Sequence, residues 1–302
     1  MLANRRKTIL RGELRYDISL AEATTWRVGG PAERLYRPAD LADLALFMAS
    51  LPLGEPVTWL GLGSNLLVRD GGIPGTVIAV AGRLQRLQRC GEDRVRAEAG
   101  VTCARLARFC ARNELGGLGF LAGIPGTVGG ALAINAGAFG SETWDRLVAV
   151  ETIDHRGRPR RRSPADFEVS YRHVQSPGQR EWFTAGEWQL PPGVREAELL
   201  QMRSWLEQRS RSQPIGQPTC GSVFRNPPAD HAGRLIEAAG LKGKRIGGAQ
   251  VSAKHANFIV NLGKATAEDI EALIIHVRET VAQQFQVYLQ CEVRILGEPR
   301  DG

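Results

Sequence analysis

Polar and apolar residues in the first half of the chain alternate in short runs that glycine keeps interrupting, a pattern of strands with single helices inserted. Residues 33–36 read as a strand, and Leu41–Ser50 carries helical spacing behind Asp40 as N-cap. Val57–Leu60 and Leu66–Val68 read as strands on either side of a glycine turn, followed by strands at 77–80 and 95–98. Thr102 caps a helix over 103–113 whose apolar face is Leu106, Ala107 and Cys110. Residues 148–153 and the turn 154–157 form a hairpin arm, and 183–187 a short strand. Around Arg195 the character changes. A long charged helix spans 196–210, the loop 213–218 follows, and 232–239 is helical. Residues 258–260 form a strand, Thr266 caps Ala267–Phe285, and 290–296 closes the chain as a strand. The best domain break therefore falls at 190–200.

Two glycine-rich turns stand out, Gly61-Leu-Gly63-Ser64-Asn65 and Gly123-Ile124-Pro-Gly126-Thr127-Val-Gly129-Gly130. Each groups backbone N–H donors beside a hydroxyl, as oxygens of a phosphate or pyrophosphate require. Neither is a standard nucleotide signature: the first lacks the third glycine of a dinucleotide turn, and the second lacks Gly-Lys-Ser/Thr. A nucleotide cofactor held by the pair implies a different fold.

Composition narrows the setting. With 302 residues and 43% apolar content the chain can bury the cores of two or three domains. No stretch reaches a membrane span, and residues 1–7 carry positive charge with no apolar run behind it, so neither export nor membrane insertion is expected. Five cysteines, an odd number without Cys-x-x-Cys, fit a reducing cytoplasm. Cys103 and Cys110 share a helix face, which suits burial. The net charge of +7 favours an anionic ligand. The single compact basic run, 158–162, follows a turn and reads as a solvated hairpin, so nucleic acid is not an expected partner.

Three polar clusters could do chemistry: Ser170-Tyr171-Arg172, Cys220-Gly-Ser222-Val-Phe-Arg-Asn226-Pro, and Glu292 within 289–295. An arginine of the first kind is often a surface ion pair, and a serine of the second a turn residue. Alternation in the third puts Glu292 on one side with Gln290 and Arg294, opposite Leu289, Cys291, Val293 and Ile295. The five histidines have no metal-ligand spacing, and 254–257 reads as a hydrogen-bonded loop. Ser222 lacks the glycine that a hydrolase elbow needs two residues later. The residues alone thus point to a metal-free, anion-friendly enzyme with a bound cofactor.

Taken in order, the motifs Thr24-Thr-Trp-Arg-Val-Gly-Gly-Pro-Ala32, Gly61-Leu-Gly-Ser-Asn-Leu-Leu-Val68, Leu121-Ala-Gly-Ile-Pro-Gly-Thr-Val-Gly-Gly-Ala131, Asn135-Ala-Gly-Ala-Phe-Gly140, Tyr171-Arg172, Gly221-Ser-Val-Phe-Arg-Asn-Pro227, Ala239-Gly-Leu-Lys-Gly-Lys-Arg-Ile-Gly-Gly248, His255-Ala-Asn-Phe-Ile-Val-Asn261 and Glu292-Val-Arg294 resemble those of the UDP-N-acetylenolpyruvoylglucosamine reductases, over roughly residues 18–297. The resemblance implies an α+β protein with the FAD-binding fold of the vanillyl-alcohol-oxidase (PCMH-type) superfamily. Its flavin-binding subdomains would be 1–80 and 81–195, with a smaller substrate-binding domain at 196–302. It implies non-covalent FAD, NADPH as hydride donor, a UDP-sugar substrate, and a cytoplasmic monomer serving peptidoglycan synthesis. It assigns catalysis to Arg172, Ser222 and Glu292. Substrate binding falls to Tyr171, Arg172, Asn226 and Glu292, and cofactor binding to Gly61, Gly63, Ser64, Asn65, Gly123, Ile124, Gly126, Thr127, Gly129 and Gly130. The chain resembles the family's shorter form, since 182–188 follows Tyr171-Arg172 without a long insertion. It departs from the common pattern at Gly119, Phe139, Cys220 and Arg225, where glutamate, tyrosine, alanine and lysine are usual.

Overall fold

The computed structural model describes residues 10–177 and 181–300, so the basic N-terminal residues 1–7 lie outside it. The chain divides into two compact units, one of residues 1–15, 35–61 and 78–198, the other of 16–34, 62–77 and 199–302.

The first unit is built on a five-stranded antiparallel sheet in the order Pro159–Arg162, Leu147–Asp154, Glu181–Gln189, Arg94–Glu98, Leu87–Arg89. The strand expected at 183–187 is longer by two residues at each end, because it pairs on both sides. Residues 159–162 of the basic run are the edge strand of this sheet and their charges are met: Arg162 forks onto Glu181, Arg161 reaches Glu187 and Arg160 reaches Asp154. The helix Cys103–Arg112 begins at Thr102 as expected and buries Leu106, Ala107 and Cys110. Burial pushes the Cys103 and Cys110 thiols up to about 12, which leaves them unreactive.

The helix Leu41–Ser50 packs Leu44, Phe47 and Met48 against Tyr36, Ile78, Val80 and Ile153. Its Asp43 is fully buried and accepts from the Tyr36 hydroxyl (2.6 Å), Arg11 N–H (2.7 Å) and Ala39 N–H (2.9 Å). Burial pushes the Asp43 carboxyl up, but the hydrogen bonds from Tyr36, Ala39 and Arg11 outweigh it and hold the group below the usual carboxylate range. Stability from this group is therefore present above the ordinary carboxylate value and is lost as the pH falls through the depressed one. Asp43→Ala should cost about 3 kcal/mol at neutral pH, because three donors lose a charged acceptor. Denaturant melts from pH 7 to pH 3 should show the gap to wild type narrowing towards acid; a gap that stays constant would contradict the assignment.

The second unit centres on the helix Ala267–Phe285, started by a capping box between Thr266 and Asp269. Its buried face, including Ile270, Leu273, Ile274 and Val277, packs with Trp26, Leu67, Val223, Phe224, Leu235 and Ile236 in one core. A three-stranded antiparallel sheet runs in the order Arg245–Ile246, Ala249–Val251, Ile259–Asn261. Trp26 donates its indole N–H to the carbonyl of Ile259, and Asn261 returns a bond to the carbonyl of Trp26, so the motif around Trp26 braces this sheet.

Two strand expectations need correction. The strand expected at 77–80 is Ile73–Ala79, and Val80 already lies beyond it. The closing strand is Arg294–Leu296 alone, paired in parallel with Leu66–Val68. That partner has only three residues, and the residues just upstream bond irregularly to a different segment, 223–225, through the bridge of Phe224 with Cys291 and the bond from Arg225 to Gln290.

Candidate active site

Gly61, where the first glycine turn begins, and the whole of the second turn lie in the first unit. A Cβ on Gly61 would lie 2.5 Å from the hydroxyl oxygen of Thr127, so only glycine lets the backbone approach this closely. Thr127 itself is buried and caps the short helix Val128–Ala133, its hydroxyl accepting from Gly130 N–H at 3.4 Å.

The turns differ in what their donors do. In the second, Ile124 donates to Leu121 just before the turn and Gly126 to Ile124 within it, while Val128 and Gly129 donate to Val101 and Ala99. Gly126 in turn accepts from Cys103, so this turn is laced to 99–103 and most of its N–H groups are spent. In the first turn, by contrast, no backbone N–H of residues 61–65 donates to another group among the described residues. Gly63, at φ +60, could not carry a Cβ without meeting the Ala23 carbonyl at 2.2 Å. Open donors on a backbone cradle that side chains cannot fill suit an anionic cofactor's oxygens.

Arg172 belongs to the first unit. It occupies the second position of the tight connection between the strands Glu168–Ser170 and His173–Gln175, at φ +55. Left-handed backbone at a residue with a Cβ costs of the order of 1 kcal/mol or more and persists where its surroundings demand it. The guanidinium stands over the Tyr171 ring at 5.6 Å and donates to the carbonyl of Gly137 at 3.2 Å. Gly137 belongs to a small hairpin, Gly137–Ala138 with Ser141–Glu142, turned by Phe139 and Gly140, both at positive φ. Asn135 anchors it by accepting from Trp144 N–H and donating to Glu142. The sequence motif 135–140 thus supplies the seat for Arg172.

Ser222, Glu292 and Asn65 come together in the second unit. Glu292 N–H donates to the Val223 carbonyl at 2.8 Å, which places Glu292 beside the residue after Ser222. Asn65 donates its side-chain amide to the Glu292 carbonyl at 3.1 Å and accepts from Arg294 N–H at 3.1 Å. Glu292 is half-buried between exposed Gln290 and Arg294, while Leu289 and Val293 are buried, so the expected alternation of faces is present without a continuous strand. Burial, reinforced by the Glu292 carboxylate, pushes the Cys220 thiol up. Asn226 is exposed, and its side-chain oxygen accepts from Ala232 N–H at 3.1 Å, at the start of the helix Ala232–Ala238. Among the described residues no group of three or more His, Cys, Asp or Glu side chains could hold a metal ion.

Residues 32–163 match the family model described as FAD binding domain, and residues 213–296 match that described as UDP-N-acetylenolpyruvoylglucosamine reductase, C-terminal domain. An α+β chain with this pair of domains is a flavin-dependent oxidoreductase with FAD as its cofactor. The UDP-N-acetylenolpyruvoylglucosamine reductase of Alkalilimnicola ehrlichii is 60% identical over 298 residues, covering 99% of each chain. That of Nitrosococcus oceani is 59% identical over 96% of this chain and 97% of its own. The crystal structure of the Thermus caldophilus UDP-N-acetylenolpyruvylglucosamine reductase superposes with a TM-score of 0.81 at 36% identity, over 95% of this chain and all of that one. The chain belongs to the UDP-N-acetylenolpyruvoylglucosamine reductase family.

Proposed function

We propose that this chain uses NADPH and non-covalently bound FAD to reduce the enolpyruvyl ether of UDP-N-acetylglucosamine to the lactyl ether of UDP-N-acetylmuramate, a step of peptidoglycan precursor synthesis. FAD, when bound, would supply the hydride carrier between NADPH and the terminal methylene of the enol ether. The first glycine turn, through Gly61, Gly63, Ser64 and Asn65, offers N–H donors to the cofactor's diphosphate. The second turn, from Gly123 to Gly130, also serves the cofactor. Residues 196–302 form the substrate-binding domain. The absence of His or Cys from either turn, and the burial of Cys103 and Cys110, support a non-covalent cofactor.

Hydride addition leaves negative charge on the carbon next to the methylene, delocalised into the carboxylate. Arg172 holds that charge with the planar fork of its guanidinium, and such stabilisation is often the largest single catalytic term. Ser222 gives its hydroxyl proton to the same carbon. A serine is a feeble acid in water, but the carbon is a strong base, so placement governs the transfer. Glu292 polarises the carboxylate end or, when protonated, shares a hydrogen bond with it, and Tyr171 and Asn226 contact the substrate. The observation that carries this reading is the lacing of the Glu292 segment to the Ser222 segment through the Val223 carbonyl, which brings two of the three assigned residues together.

The enzyme acts as a monomer in the cytoplasm, a reducing compartment that suits its five free cysteines. NADPH and the enol ether must each present a reacting carbon to the same flavin, so they take turns. Initial rates against both should give parallel double-reciprocal lines, with inhibition at high enol ether; lines that intersect would show a ternary complex and overturn this order.

A further inference from the structure

We propose that Asn257 is a positioning residue for Ser222, its amide side chain standing in for a neighbouring strand and fixing the backbone that presents the serine hydroxyl. The inference rests on the reading of Ser222 as proton donor.

Little at Ser222 itself fixes its direction. Its hydroxyl makes no hydrogen bond among the described residues, and Gly221 before it, at φ +86, has open space where a Cβ would stand. Its aim is therefore set by the peptides that follow. These are held on both edges. On one, the Val223 carbonyl accepts from Glu292 N–H at 2.8 Å and Val293 N–H at 3.3 Å, and Arg225 N–H donates to Gln290 at 2.9 Å. The other edge is served by a single residue. The Asn257 carbonyl accepts from Val223 N–H at 2.9 Å, its side-chain oxygen accepts from Phe224 N–H at 3.0 Å, and its side-chain amide donates to the Phe224 carbonyl at 2.8 Å.

One asparagine thus gives Phe224 the donor and acceptor that a paired strand would give. Both Phe224 and Asn257 are buried, so these groups have no water to fall back on. Asn257 is itself fixed, donating its N–H to His255 Nδ1 at 3.2 Å, while His255 N–H donates to the Ser252 hydroxyl. Only asparagine supplies both functions at this reach: an ionised aspartate has no donor, alanine has neither group, and glutamine is one methylene too long.

Asn257→Asp preserves size but sets a carboxylate oxygen against the Phe224 carbonyl. Reoxidation of the reduced enzyme by the enol ether should slow about tenfold or more, since small displacements of a reacting group are costly. Reduction by NADPH and affinity for the enol ether should stay near wild type, and the solvent isotope effect on reoxidation should rise. In the double variant Asn257→Asp/Ser222→Ala, reoxidation should be no slower than in Ser222→Ala alone, because a residue acting through Ser222 has nothing left to place. Amide hydrogen exchange at 223–225, measured on the flavin-loaded protein without turnover, should quicken. The harsher Asn257→Ala strips both partners from buried Phe224, and exchange in the isosteric variant keeps the test open if Asn257→Ala does not accumulate. Wild-type reoxidation in Asn257→Asp, equal slowing of both half-reactions, or additive loss in the double variant would overturn the proposal. If Ser222→Ala alone leaves reoxidation unchanged, it is the reading of Ser222 that fails.

Discussion

Ser222→Ala should leave reduction of the enzyme by NADPH near the wild-type rate while slowing reoxidation by the enol ether by about 10²-fold or more, the range for loss of a positioned acid. The asymmetry follows from the role proposed for the hydroxyl. Hydride transfer from NADPH needs no proton from Ser222, whereas completion of the lactyl ether does. The hydroxyl has no hydrogen-bond partner among the described residues, so its removal breaks no internal network and stability should change little. Stopped-flow absorbance of the two half-reactions reads the difference directly. Equal slowing of both would make Ser222 a support for the flavin site, and unchanged reoxidation would remove it from the mechanism.

Arg172 should separate activity from stability. Arg172→Lys keeps a positive charge but loses the planar fork, so reoxidation should fall by about 10²- to 10³-fold, as when a charge-stabilising donor is removed from an active site. Arg172→Gly should abolish reoxidation more completely. Yet its thermal midpoint should stay near or above that of wild type, because glycine takes φ +55 without the strain that arginine bears there. The bond to Gly137 at 3.2 Å that the variant gives up has a net worth of about 1 kcal/mol, comparable with the strain relieved. A marked drop in thermal midpoint for Arg172→Gly would show that the side chain holds the fold together and that its backbone strain is not kept for catalysis.

Much of this was legible in the sequence because local rules agreed with the fold. Asp40, Thr102 and Thr266 mark helix starts that the structure keeps, since a side-chain cap acts over three residues and needs no tertiary help. The flavin-dependent family was legible from its ordered motifs. Less legible was how backbone donors are spent. Both glycine turns read alike as donor-rich, but the bonds to Ala99, Val101 and Cys103 that consume the second turn's groups come from residues some 25 positions earlier, and no local pattern announces them.

The same limit explains the closing strand. Alternation over 289–295 marks which side chains are buried, but whether the backbone forms a strand depends on the length of Leu66–Val68 and on competition from 223–225, both set by tertiary pairing. Asn257 was visible only as part of a hydrogen-bonded loop. The loop is there, with Ser252 and His255 closing it, but the outward reach of the Asn257 amide to Phe224 spans 33 residues. Arg172 was a candidate by residue type, whereas its left-handed backbone and its seat on Gly137 required the folded chain.

The most direct test of the account is a single anaerobic turnover. The purified protein is reduced with NADPH, freed of nicotinamide nucleotide by gel filtration, and mixed with the enolpyruvyl ether of UDP-N-acetylglucosamine. Oxidised-flavin absorbance should return in full, and UDP-N-acetylmuramate should form in an amount equal to the flavin. Absorbance that stays bleached, or that returns without this product, would contradict it.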